Sequence, residues 1–372
     1  MAKIIKQKNI NEESNLVEKE FKAQNYGGYV KVNLCTGGRF DFPETVYFKP
    51  YTMEDLTDLE SCKPEDLQET LIAILNKNKH ESITTDCELL KLEEVIDIEA
   101  RLYGSVFDPN VEYPIDEECK NEECERTNPI FAKLNINQLN ILSVENVEDN
   151  IRDNYRELFN NPDIFEDYVK IKYGEGEQIS IDQALSDIKL KEPLNIRMDD
   201  GKTLRIRFVT IGDLAYATKK AYVKYSYALR KVNKKKYSGL SPEDAKIQKE
   251  MDFEDIQIEM FKEISSGVNA LSLLGVDKQE FRTFDEKLDY YKNMPPKYAN
   301  KFKENSEITK FGINHTIETN CPSCKEKKIY RLEHGSLLYD FLPIGNSRLN
   351  KTDENISTEG KQGRPQRISI YF

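Results

Sequence analysis

Four cysteines in two pairs are the residues of this 372-residue chain whose type and spacing could do chemistry. Cys321-Pro322-Ser323-Cys324 has the Cys-x-x-Cys spacing at which a tight turn aims two sulfurs at one ion. Cys119 and Cys124, far upstream, have the wider Cys-x-x-x-x-Cys spacing. One such pair supplies half of a tetrahedron, and two would complete a four-thiolate structural zinc site. The plainer reading, reduced thiols in hairpin turns, stands beside it. Pro322 favours a turn over a helix, and the other cysteines, Cys35, Cys62 and Cys87, are scattered singly. A disulfide would suit an exported chain, which nothing in the sequence marks. A catalytic zinc would want His or carboxylate ligands around an open position, and His315 and His334 lie near the second pair but off its spacing. The expectation is one structural Zn2+ held by Cys119, Cys124, Cys321 and Cys324.

Strand-like runs flank each pair and would position it. Arg101-Leu102-Tyr103-Gly104 precedes the first pair and Ile130-Phe131-Ala132-Lys133-Leu134 follows it. Lys310-Phe311-Gly312-Ile313 and Lys328-Ile329-Tyr330-Arg331-Leu332 flank the second. Further upstream, Val30, Val32 and Leu34 alternate with polar residues, Cys35-Thr36-Gly37-Gly38 turns the chain, and Val46 to Tyr51 returns as a strand. Thr52-Met53-Glu54-Asp55 then reads as a capping box, and Pro64-Glu65-Asp66 opens a helix with Leu67, Leu71, Ile74 and Leu75 at helical spacing.

The same grammar returns later. Leu194 to Met198 and Leu204 to Phe208 alternate across Asp199-Asp200-Gly201, a hairpin signal. Thr210-Ile211-Gly212-Asp213 repeats the cap, and Pro242-Glu243-Asp244 repeats the helix start; Pro295-Pro296 breaks the helical region beyond. Features recurring in one order suggest a degenerate internal duplication. The predicted fold is α+β: two related halves of β-hairpins plus helices, joined by a zinc-ribbon-like four-cysteine site, with extended termini. Residues 1–28 read as an N-terminal arm, 29–150 as the first half and 151–192 as a connecting segment without a strong signal. Residues 193–345 read as the second half, and 346–372 as a polar tail ending Ile370-Tyr371-Phe372.

Composition limits the function classes. With 54 Lys and Arg against 66 Asp and Glu, the net charge is −12, which lacks the global basicity of a nucleic-acid coat. Met1 to Lys6 runs into polar residues with no signal-peptide core. Apolar runs such as Leu71 to Leu75 are far too short to span a bilayer. The expectation is an intracellular site of synthesis, reduced cysteines and no membrane partner.

Charge is unevenly spread. Residues 86–125 hold fourteen acidic side chains against three basic ones, whereas 219–236 hold eight Lys or Arg and no acid, interleaved with Tyr222, Tyr225 and Tyr227. Cations with aromatics are a nucleic-acid signature. Here Leu214, Ala221, Tyr225, Ala228 and Val232 fall on one helical stripe, which turns the cations to solvent. Lys219 to Lys236 is therefore read as a solvated basic face or the site of an acidic protein partner, in preference to nucleic acid. No Gly-x-Ser-x-Gly, phosphate loop, His-Glu-x-x-His or dinucleotide fingerprint occurs. No catalytic or cofactor-binding residue is assigned, and the expectation is a chain without enzymatic activity.

Asn33-Leu34-Cys35-Thr36-Gly37-Gly38-Arg39-Phe40 through Lys49-Pro50-Tyr51-Thr52 resembles the baseplate hub assembly proteins of contractile-tailed, T-even-like bacteriophages. Members of that family open with a Leu-Pro-Ser-x-Gly turn, a returning strand ending in Arg-Pro and a Thr-initiated helix. Here Cys35-Thr36-Gly37 stands for Pro-Ser-x-Gly, and Lys49-Pro50 for Arg-Pro. An aromatic-Gly strand, a cysteine knuckle and an aromatic-Leu-Pro exit are similar too, at Phe311-Gly312, Cys321 to Cys324 and Phe341-Leu342-Pro343. The resemblance covers roughly 29–56, 100–140 and 305–345. It implies a structural or assembly protein of the tail baseplate, a hub component or chaperone that binds other baseplate and tail proteins. It would act in the host cytoplasm during assembly and, if retained, in the virion tail. The rival expectations are a zinc-ribbon nucleic-acid-binding or transcription-associated factor and a metal-dependent enzyme.

Overall fold

Alternating apolar residues build the first hairpin. Strands β1 (Val30–Asn33) and β2 (Thr45–Phe48) pair antiparallel, Val30 opposite Phe48, and Val30, Val32, Val46 and Phe48 enter the core. The computed structural model describes residues 28–106, 110–115, 124, 130–135, 141–235, 237–313, 316–321, 323–325 and 327–331. Residues 1–27 of the expected arm, the tail at 346–372, Cys119, His315 and His334 lie outside the described residues. The turn between β1 and β2 needs glycine: Gly38 has φ +74°, and a Cβ there would stand 2.8 Å from the Glu44 backbone nitrogen.

Helix α1 (Met53–Ser61) starts with the expected box, in which the Thr52 hydroxyl accepts from Asp55 N–H and the Asp55 carboxylate accepts from Thr52 N–H. That carboxylate also accepts from Lys77 Nζ and Asn78 Nδ2, each at 3.0 Å, tying α1 to the end of α2 (Leu67–Asn78). Pro64–Asp66 form a 3-10 turn ahead of α2.

Arg101 to Gly104 do not form the predicted strand; they are part of helix α3 (Leu92–Val106). Val95, Ile98 and Leu102 stand at helical spacing and are fully buried, so the period of a long apolar face overrides a short strand-like run. The strand ahead of the first cysteine loop is instead β3 (Asn110–Ile115), paired with β4 (Ile130–Asn135).

After β5 (Ile141–Leu142), the segment without a strong signal proves helical: α4 (Val144–Leu158), α5 (Pro162–Lys172) and α6 (Ile181–Ser186). Ser143, Asn161 and Ser180 cap them. Phe159 centres a small cluster, its ring 4.7 Å from Tyr168 and 4.9 Å from Phe165.

Strands β6 (Leu194–Arg197) and β7 (Thr203–Ile206) form the expected hairpin across Asp199-Asp200-Gly201. Strands β8 (Leu273–Val276) and β9 (Gln279–Glu280) extend it to a four-stranded antiparallel sheet in the order β6-β7-β8-β9. Helix α7 (Ile211–Lys234) opens with the second capping box, Thr210 and Asp213, and α8 (Pro242–Ser272) runs back along it. Helix α9 (Phe284–Lys292) is followed, past Pro295, by α10 (Pro296–Ile308), where Pro296 takes the first-turn position that proline tolerates. The last strands are β10 (Gly312–Ile313), paired with β5, and the hairpin of β11 (Thr316–Asn320) and β12 (Lys327–Arg331).

The architecture is α+β, helices with small antiparallel sheets. Its two main apolar clusters each draw on both ends of the chain. Val32, Phe48, Leu71 and Ile98 pack with Ile211, Leu214, Met260 and Ile264. Cys35, Val144 and Val147 pack with Ile196, Leu204, Leu273 and Phe311. Between them Lys91 is buried, its ammonium 3.0 Å from Glu192, 3.3 Å from Asp41 and 5.2 Å from the Phe40 ring centroid. The rings of Phe40, Phe208 and Phe311 close this junction.

Candidate metal centre

β3 and β4 pair from Asn110↔Asn135 to Ile115↔Ile130, and Cys124 falls between these two strands in the chain. β11 and β12 pair from Thr316↔Arg331 to Asn320↔Lys327, and Cys321 and Cys324 occupy the turn between them. β-branched and aromatic residues on both strands, among them Thr316, Ile317, Ile329 and Tyr330, favour this hairpin.

The turn folds around one sulfur. Lys325 takes a φ of 60°, and its N–H donates to the Cys321 carbonyl at 2.9 Å. The Cys324 N–H, with help from the Ser323 N–H, donates to Cys321 sulfur and holds its thiol below the ordinary value, against the upward pull of burial. Two amides aimed at one sulfur favour the thiolate, the form that binds metal.

Cys124 comes to the same place from 197 residues away: its sulfur lies 3.7 Å from that of Cys321. The sulfurs of Cys124, Cys321 and Cys324 all lie within 4.8 Å of one another, with Cys321 buried and the other two half-exposed. Tetrahedral thiolates about 2.3 Å from one ion stand about 3.8 Å apart, whereas a disulfide brings sulfurs to about 2.05 Å. The three sulfurs are close enough together to hold one metal ion, and too far apart at 3.7 Å for Cys124 and Cys321 to be a disulfide. Among the described residues no other group of His, Cys, Asp or Glu gathers three donors this closely. Of the four predicted ligands the structure brings together Cys124, Cys321 and Cys324, and Cys119 lies outside the described residues.

The other cysteines have different surroundings. Burial pushes the Cys87 thiol up to about 12. Burial, then the Asp97 carboxylate, raises Cys35 well above its ordinary value. His80 is structural: its Nδ1 meets Ser82 Oγ at 2.9 Å, and its ring packs edge-on against Tyr29.

Part of the acidic run is not surface charge. Glu94, Asp97 and Glu99 on α3 are buried. Thr36 Oγ donates to Glu94 at 2.5 Å, Cys35 N–H donates to Asp97 at 3.1 Å, and Tyr51 OH donates to Glu99. These carboxylates hold the first hairpin against α3, and burial raises Asp97 to about 6 and Glu99 to about 8. The signal was available: these acids are interleaved with Val95, Ile96 and Ile98, so the helix is apolar on more than one side.

On α7, Leu214, Ala221 and Val232 are buried and Lys219, Lys220, Lys224, Arg230 and Lys231 are exposed, as the helical stripe required. Among the described residues no helix is long and apolar enough to cross a membrane. Comparison with protein-family models, with curated proteins and with solved structures finds no match to this chain.

Proposed function

We propose that this chain is a structural or assembly protein of a phage tail baseplate, without enzymatic activity, acting as hub component or chaperone through a zinc-stapled body. The observation that carries the reading is the convergence of Cys124 with Cys321 and Cys324 from a second hairpin. Cys119 would supply the fourth thiolate, and a four-thiolate set leaves no open coordination position, which is the signature of a structural centre. Zinc there would join the β3–β4 and β11–β12 hairpins and contribute folding energy directly. The related-halves reading draws support from the two hairpins, β1–β2 and β6–β7, that each lead into a Thr-Asp capping box. The baseplate assignment itself rests on the resemblance at Asn33 to Thr52 and at Phe311 to Cys324.

Metal analysis of full-length protein purified without chelator is expected to find one zinc per chain, lost on Cys321→Ser. Affinity capture from infected cells is expected to bring down tail proteins. Absence of zinc would remove the metal centre, and capture without any tail component would remove the baseplate assignment. The exposed cations of α7 favour one second reading, a zinc-ribbon nucleic-acid-binding or transcription-associated factor. Salt-dependent retention on duplex DNA, lost when those charges are reversed, would select it.

A further inference from the structure

The α7–α8 hairpin carries two surfaces that the rest of the described fold covers only at the Tyr216 end, where Phe284 packs. At its base the helices pack closely: a Cβ on Gly267 would lie 3.1 Å from Ala217 Cβ. Farther out Lys224 pairs with Glu263 at 2.9 Å, and Lys235 with Asp252 at 2.6 Å. Ahead of Met260, α8 contains no buried residue, a stretch of about 27 Å at the helical rise. Yet large apolar side chains stand in solvent there. Val223 is 70 % and Tyr227 77 % exposed on α7, and Tyr216, two turns before Val223, is 41 % exposed with its ring edge-on to Phe284 of α9; Ile247, Met251 and Ile258 are exposed on α8.

Each trio forms a stripe. At helical spacing Tyr216, Val223 and Tyr227 fall within about 40° of arc, and so do Ile247, Met251 and Ile258. The half-buried Tyr225 and Ala228 on α7, and Asp252 and Ile256 on α8, lie on the opposite sides of their helices. The stripes therefore form the two outer edges of the hairpin, each turned away from the other helix. Their charges are opposite. Lys220, Arg230, Lys231 and Lys234 flank the α7 stripe, and α7 carries no acid beyond Asp213. Glu243, Glu250, Glu254 and Asp255 flank the α8 stripe; Lys246 pairs with Glu250 at 3.9 Å, Lys249 is turned off the stripe, and Lys262 stands one turn past Ile258. One edge is apolar with cations, the other apolar with carboxylates, and within one molecule they cannot meet.

We propose that copies of this chain associate head to tail, the basic edge of α7 in one docking on the acidic edge of α8 in the next. Such a contact buries both apolar stripes and pairs both sets of charges. Nucleic acid would answer the cations alone, leaving Ile247, Met251 and Ile258 bare and meeting the phosphate-repelling acidic edge. Because each copy uses two different surfaces, successive contacts close into a ring or continue as an open array with one free edge at each end. This inference is independent of the zinc centre and of the baseplate reading.

The test is the mass of the full-length protein in sedimentation and light scattering over a range of protein and salt concentrations. Mass above one chain is expected, rising with protein concentration and falling with salt. K220E/R230E/K231E leaves both edges acidic, and E250K/E254K/D255K leaves both basic. Each variant alone is expected to be monomeric with unchanged circular dichroism, and mixing the two is expected to restore association. Val223→Glu, one change at an exposed position, should weaken it independently. A wild-type chain that stays monomeric at every concentration, variants that associate as the wild type does, or a mixture that stays monomeric would overturn the proposal. A monomer retained on duplex DNA through the α7 cations would also overturn it, assigning that edge to nucleic acid.

Discussion

Buried Glu99 and buried Asp55 respond to pH in opposite directions. Burial raises the Glu99 carboxyl to about 8, only partly offset by the Tyr51 hydroxyl that donates to it. The folded protein thus keeps a proton that the unfolded chain, with a carboxyl near ~4.3, gives up. The stability this contributes is complete below about pH 4 and is lost as pH rises through about 8. Asp55 behaves in reverse. Burial pulls it upward, but the Thr52 N–H, Asn78 and Lys77 outweigh that and bring it to about 2. Its contribution is present above about pH 4 and is lost as pH falls through about 2. Glu99→Gln is therefore expected to raise the urea midpoint at pH 8 and to leave it nearly unchanged at pH 4. Asp55→Ala is expected to cost about 2 kcal/mol at pH 7, because it removes a cap and strands Asn78. Thiol accessibility divides the cysteines too: alkylation at pH 7 should reach the half-exposed Cys324 well before Cys87, whose burial keeps its thiol neutral. Equal labelling of Cys87 would contradict this.

At the scale of elements, the hairpin turns and helix starts carry most of the local specification. Gly38 and Gly239 both have positive φ, +74° and +90°, but only Gly38 has the Glu44 backbone where a Cβ would go. Gly239→Ala meets open space and should cost about 1 kcal/mol, the conformational term alone. Gly38→Ala must also displace backbone and should cost about 2–3 kcal/mol, read as the difference between two chemical-denaturation curves. Helix α3 is held differently. Its carboxylates Glu94 and Asp97 accept from Thr36 and the Cys35 N–H, so it acts as a polar clamp on the β1–β2 turn within an otherwise apolar cluster. These hydrogen bonds offset part of the cost of burying the two carboxylates, and the second Asp97 oxygen is buried without one.

At the scale of the molecule, each of the two main apolar clusters takes residues from both predicted halves. Leu71 and Ile98 depend on Leu214, Met260 and Ile264, and Leu204 and Leu273 share a cluster with Cys35 and Val147. A fragment of residues 29–150, or of 193–345, is thus expected to expose half of each interface and to unfold without a cooperative transition. Co-expressing the two, with 151–192 kept on either piece, should recover helical signal and a sigmoidal urea curve. Cooperative unfolding of an isolated fragment would show an independent domain and count against the shared core.

The sequence by itself determined what is local. Thr52 with Asp55, Thr210 with Asp213, the Asp199-Asp200-Gly201 turn and the alternation of Val30 to Leu34 each act within a few residues, so spacing alone reveals them. Tertiary structure decided what depends on distant partners. Arg101 to Gly104 became helix because α3 presents a continuous buried face. The segment 151–192 became three helices around Phe159 because their apolar residues meet only when folded together. Lys91 and Glu148 are buried because Glu192 and Arg39 arrive from elsewhere in the chain. The cysteine pairs could be recognised from spacing, but a sulfur contact of 3.7 Å across 197 residues depends on where the rest of the fold places Cys124 and Cys321. Long-range proximity of that kind follows from how the cores share their surfaces, which no short stretch of the chain encodes.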